Sequence, residues 1–175
     1  MNIILLTMIY CLYFYEKWRL KSKRMFVLNT AFYFYIVIVL FFTIMPFRIP
    51  LGNTNYFFTS TPIFIPFYDL MQGYAGALQD IVLNCMMLIP FGFLLPLIRR
   101  TNLRRTILMS FLFSLSIESY QLINSMFGTS SRIFDVTDLM TNTFGGWIGY
   151  IICYHVSIVA KKQLKFYKQL KTKSN

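Results

Sequence analysis

An all-α polytopic bundle of membrane-crossing helices is the fold this sequence predicts, and three observations predict it. The chain is 57% hydrophobic and 19% aromatic, more apolar surface than a soluble core of 175 residues can hide. The apolar residues form several continuous runs of about membrane-spanning length, and lipid leaves no partner for open backbone, so the runs read as helices rather than barrel strands. Fifteen of the seventeen Lys and Arg fall into three clusters between or after these runs: Lys17 to Arg24, Arg99 to Arg105 and Lys161 to Lys173.

The first run, Met1 to Tyr15, is short for a span at about 1.5 Å per residue, and two placements stay open: a thin crossing or an interfacial helix. It lacks a preceding basic region and a small-residue cleavage site, so it reads as a retained anchor. The second run, Met25 to Met45, is ample, and Pro46 closes it because the residue before proline resists helix. From Pro46 to Gln79 the chain carries four prolines, eight aromatics and two charges, Arg48 and Asp69. That composition places it on, or re-entering, the membrane interface.

The third run, Leu78 to Ile98, contains Pro90, which cannot donate to the Met86 carbonyl, so a kink is expected there. The fourth runs from Thr106 to Asn124, and the fifth from near Asp135 to near Ala160. With every basic cluster in the cytoplasm, these five segments put the amino terminus outside and the carboxyl terminus inside. The organisation is then an anchor and basic loop over 1–24, a membrane domain over 25–160 and a basic tail over 161–175 that would hold anionic lipid heads.

A net charge of +11 raises the question of nucleic acid, but clusters that alternate with apolar runs are topology signals, so no nucleic-acid partner is expected. Cys11, Cys85 and Cys153 lie inside apolar runs without metal-ligand spacing and read as buried structural cysteines. Gly145 and Gly149 are spaced for close helix packing, and His155 is a lone packing or interface histidine.

The acidic residues carry the functional signal. There are only six, and Asp80, Glu118, Asp135 and Asp138 sit in or beside apolar runs, where a carboxylate costs about 3 kcal/mol or more. The predicted topology brings Asp80 with Asn84, Glu118 with Gln121, and Asp135 with Asp138 and Asn142 to one depth near the outer leaflet. Each set is spaced by three or four residues and shares a helix face, with Arg132 the nearest cation. For one Asn or Gln, holding helices together is the better explanation; for four carboxylates it weakens, because clustered like charges repel. Three uses stay open: a divalent metal on Asp80, Glu118, Asp135 and Asp138, the cationic or hydroxylated head of a lipid or drug, or acid and base chemistry.

The segments Asp80-Ile-Val-Leu-Asn84, Ile89-Pro90-Phe91-Gly92, Glu118-Ser-Tyr-Gln121, Arg132-Ile-Phe-Asp135-Val-Thr-Asp138 and Asn142-Thr-Phe-Gly145-Gly146 together resemble the VanZ-like family. Ile65-Pro66-Phe67 is similar to that family's short Pro-Phe element, and the likeness covers roughly Pro46 to Tyr150. The resemblance implies a multi-pass protein of the bacterial cell membrane that lowers susceptibility to teicoplanin-type glycopeptide antibiotics without remodelling peptidoglycan precursors. It also implies that Asp80, Asn84, Glu118, Gln121, Asp135, Asp138 and Asn142 are the polar motif positions.

The leading expectation is an outer-leaflet polar cleft that meets the glycopeptide or a cell-envelope lipid. A metal-dependent enzyme acting on a lipid-linked wall precursor is a second reading. A small transporter or flippase is a third, for which the cytoplasmic half holds almost no polar residue besides His155. A structural partner of another envelope protein is a fourth.

Overall fold

The computed structural model describes residues 2–44, 62–126 and 134–173. The end of the second apolar run at Met45 and Pro46, most of the connection that follows, and Arg132 lie outside these residues. The chain is an all-helical membrane bundle. Four helices are long and apolar enough to cross a membrane among the described residues: α3 (Lys23–Ile44), α5 (Ala77–Arg99), α6 (Leu103–Met126) and α7 (Val136–Lys173). The amino-terminal segment is a helix in three pieces: α1 (Asn2–Ile9), a π-helical stretch (Tyr10–Tyr15) and α2 (Glu16–Arg19). A single helical turn, α4 (Tyr68–Met71), precedes α5.

The amino-terminal piece is fastened to α3 through aromatic rings and two hydroxyls. Tyr10 lies against Trp18, Tyr33 and Phe34, and its hydroxyl pairs with Thr30 Oγ1 at 2.8 Å. The Tyr33 hydroxyl donates to the Leu6 carbonyl at 2.6 Å, one turn before the π-helical stretch. A side chain that takes a helical carbonyl in this way loosens the local ladder.

Helix α5 runs unbroken through Pro90 and Pro96. Next to Pro90 the Tyr35 hydroxyl, reaching across from α3, donates to the Met87 carbonyl at 2.7 Å. A tyrosine thus adds a hydrogen bond one residue from the Met86 carbonyl, the one that the proline leaves without its helical donor. Leu88, Phe91 and Leu95 form the buried apolar core there, with Phe91 stacked on Phe113 of α6 at 5.1 Å.

The α5–α7 contact is the most intimate in the bundle, and glycines create it. A side chain at Gly145 would overlap the Cys85 carbonyl, one at Gly149 the Ile89 carbonyl, and one at Gly92 the Gly146 carbonyl. Gly146 leaves room on the other side for Ser110 of α6. Small residues let membrane helices gain dispersion contacts over their whole length, the main attraction available when lipid is as apolar as leucine.

Polarity is inverted relative to a soluble bundle. On α6 the buried residues are Thr106, Ser110, Ser114, Glu118, Gln121 and Ser125 with one apolar residue, Ile117, while Leu108, Met109, Leu112 and Ile123 are exposed. The same inversion corrects the cysteine expectation: Cys153 is buried, Cys85 half-buried and Cys11 exposed, since an apolar residue of a membrane helix need not face protein. Finally, the last helix does not stop near Ala160 but carries the basic tail as helix to Lys173, over a stretch free of Gly and Pro.

Candidate functional site

The four long helices alternate in direction, and this sorts the charges to opposite ends. Arg99 closes α5, Arg104 and Arg105 open α6, and Arg24 lines a cavity with Lys161. At the other end, α5 and α7 begin and α6 finishes, and there the acidic residues collect. Asp69, Asp80, Asp135 and Asp138 line one cavity of about 350 Å³, together with Asn84, Gln121, Tyr74 and Thr137. Glu118 sits just beneath, 2% exposed. Five of the six acidic residues therefore meet at one end; the sixth, Glu16, is exposed and paired with Arg19. No basic side chain lines the cavity among the described residues.

One wall is built by backbone pairing that brings the connecting segment onto the start of α7. The Ile63 N–H donates to the Phe134 carbonyl at 2.9 Å, and the Val136 N–H donates to the Ile63 carbonyl at 3.1 Å. The Phe64 and Phe134 rings pack beside this bridge at 5.5 Å. Four residues on, Phe67 adopts the left-handed conformation at φ 57°, which a bulky residue rarely holds, and its N–H donates to Thr137 Oγ1 at 2.9 Å. These contacts deliver α4, and with it Asp69, to the cavity.

The carboxylates have distinct structural tasks. Asp135 Oδ1 accepts the Thr137 N–H at 2.7 Å, the N-cap bond that satisfies one free donor at the start of α7. Glu118 Oε2 accepts the Asp135 N–H at 3.1 Å, so a residue of α6 closes the remaining side of that helix end. Asp138 lies in the first turn of α7 and Asp80 in that of α5, where a negative charge is favoured by the helix dipole. Asp80 is exposed to the cavity and Asp138 half-buried. Gln121, 5% exposed, reaches the Thr43 carbonyl at the end of α3 at 3.5 Å.

Of the sequence-predicted residues, the cavity thus assembles Asp80, Asn84, Gln121, Asp135 and Asp138, with Glu118 bonded to its wall. Asn142 lies deeper, 1% exposed, where its Nδ2 donates to Ser114 Oγ at 3.0 Å and its Oδ1 finds no partner among the described residues. His155 is exposed on α7, beside Tyr154. No three His, Cys, Asp or Glu side chains are grouped to hold a metal ion among the described residues.

Two features escaped the sequence reading. Asp69, by sequence one of two charges in the connection, lines the cavity. The expectation of an almost apolar basic half is also corrected, since Thr106, Ser110 and Ser114 are fully buried there at four-residue spacing. Thr106 and Ser110 bond carbonyls of their own helix and Ser110 packs on Gly146, so this polar stripe is a close-packed seam.

Comparison with known proteins agrees with the motifs. The family model described as VanZ/LLP1 matches residues 32–159, well over half of the chain. No curated protein and no solved structure matches.

Proposed function

Because the chain belongs to the VanZ-like family, we propose that it acts in the bacterial cell membrane to lower susceptibility to teicoplanin-type glycopeptides, through the acidic cavity. The cavity faces the outer side in this reading, since the basic clusters at the opposite end keep to the cytoplasm. It binds the drug or a cell-envelope lipid that the drug needs.

The observation that carries the reading is the convergence of Asp69, Asp80, Asp135 and Asp138 on one concave, membrane-end cavity. A purely structural role would favour neutral amides at these positions, because a carboxylate near lipid costs about 3 kcal/mol or more. Asp135 and Glu118 have structural bonds that explain them in part, whereas Asp80 faces the cavity.

The test is teicoplanin and vancomycin susceptibility of a sensitive Gram-positive host carrying the wild type or the Asp80→Asn or Asp138→Asn variant, with membrane levels verified. Protection by the wild type that disappears in well-expressed variants supports the reading. Unchanged susceptibility with the wild type in the membrane overturns it.

A further inference from the structure

We propose that the cavity at the basic end of the bundle holds one anionic phospholipid, its phosphate taken by Arg24 and Lys161 and its chains laid along Phe93, Leu97 and Val156. The site lies at the end opposite the acidic cavity and does not depend on how that cavity is used.

This cavity, about 360 Å³, forms where the first turn of α3 meets the last turns of α5 and the middle of α7. Its volume falls in the range of about 300–1,000 Å³ usual for small-molecule sites. Two lining residues are cations, Arg24 and Lys161, and Ser157 adds a hydroxyl to the same lining. The remaining lining is apolar and includes half-buried Phe93 and Leu97 on α5 and exposed Val156 on α7. A basic pocket between membrane helices, with apolar walls running on toward lipid, is the form that receives a phospholipid head group.

The charges select an anion. Arg24 and Lys161 repel one another in a shared lining, and Arg24 is further disfavoured as a cation in the first turn of a helix, where the dipole is already positive. No acidic side chain lines the cavity to offset them: five of the six gather at the other end, and Glu16 pairs with Arg19 at 2.6 Å. That balance holds for the whole sequence, because the residues outside the described ones contain no Asp or Glu and add two further cations, Arg48 and Arg132.

The apolar wall selects the lipid. A phosphate without chains would meet the two cations but leave Phe93, Leu97 and Val156 uncovered, whereas a phospholipid covers them as well. The lysines farther along α7 attract any anionic surface without a fixed number of lipids; the cavity differs in taking one per chain.

The purified protein in a neutral sugar detergent is titrated with dioleoyl phosphatidylglycerol, dioleoyl phosphatidylcholine and glycerol phosphate, and the molecules retained per chain are counted by native mass spectrometry. We expect a first phosphatidylglycerol to bind with an apparent Kd about tenfold or more below that of phosphatidylcholine, and glycerol phosphate not to be retained. The Arg24→Gln, Lys161→Gln double variant should weaken that first phosphatidylglycerol about tenfold or more. The Lys171→Gln, Lys173→Gln double variant, which loses the same charge from the tail, should weaken it less than about twofold.

Equal affinity for the two lipids overturns the proposal, as does an equal loss in the two double variants, which would assign the binding to surface charge at large. Glycerol phosphate held as tightly as phosphatidylglycerol also overturns it, in favour of a free-phosphate site. The comparison of the three ligands is made on the native protein and decides the matter even where a variant fails to fold.

Discussion

The Glu118 carboxylate accepts the backbone N–H of Asp135 at 3.1 Å, so an acid buried on α6 completes the amino end of α7. The bond ties the floor of the acidic cavity to its wall. Replacing Glu118 with Gln keeps an acceptor of the same shape but removes its charge, and we expect a loss of about 1 kcal/mol. Glu118→Leu strands the Asp135 N–H and should cost about 2–3 kcal/mol. Thermal unfolding in detergent, with both variants side by side, checks the order; equal losses would mean that the bond is idle.

Asp135 separates capping from charge. Asp135→Ala removes the N-cap acceptor for Thr137 and should destabilise the protein by about 1 kcal/mol, while Asp135→Asn and Asp135→Ser keep an acceptor and lose only a few tenths. Melting temperatures of the three variants decide the matter. A stable Asp135→Asn protein that has lost function would assign the charge, rather than the cap, to the site.

The glycine seam predicts a steep dependence on side-chain size. Gly149→Ala presses a methyl into the Ile89 carbonyl and should cost about 1–3 kcal/mol; Gly149→Leu should prevent α5 and α7 from docking. Cysteine cross-linking between the two helices, together with monodisperse yield, reports the loss. Gly73, which has open space around it, serves as a tolerant site for Asn, whose side chain accepts its positive φ of 72°.

Tyr35→Phe should cost about 0.5–1.5 kcal/mol, because the Met87 carbonyl loses its donor beside Pro90. The effect should shrink in a Pro90→Ala background, where Met86 regains its helical donor and the ring no longer pushes that turn open beside Met87. A double-mutant cycle on unfolding in mild detergent measures the coupling, and strict additivity would refute the link between this hydroxyl and the proline.

Much of the site was legible before any coordinates, and the reason is geometric. Asp80 with Asn84 sits one turn into a helix that descends from the acidic end, Gln121 near the end of one that rises to it, and Asp138 at the start of the next. Alternating basic clusters were enough to set them at one level. Asp69 was not legible, since its place depends on the pairing of Ile63 with Phe134 and Val136, backbone bonds that leave no trace in residue type. Nor was Phe67, a bulky residue in a conformation suited to glycine that a single threonine hydroxyl helps to hold.

The cap at Asp135 could have been read, because Asp-Val-Thr-Asp ahead of an apolar run is an N-terminal signature of helices. So could the stripe from Thr106 to Ser125, whose members recur every three or four residues. In a membrane bundle the small polar residues are the ones that face inward.

Helix α7 spans 38 residues without a break, about 57 Å, against a hydrocarbon layer of about 30 Å. Roughly half of it therefore stands clear of the bilayer's core as a mast, stepped at its foot by Asp135 and Glu118 and stayed about a third of the way up by the glycines that lock it to α5. A pull on the mast's far end, near Lys173, therefore meets the glycine lock on α5 before it reaches the turn that carries Asp138.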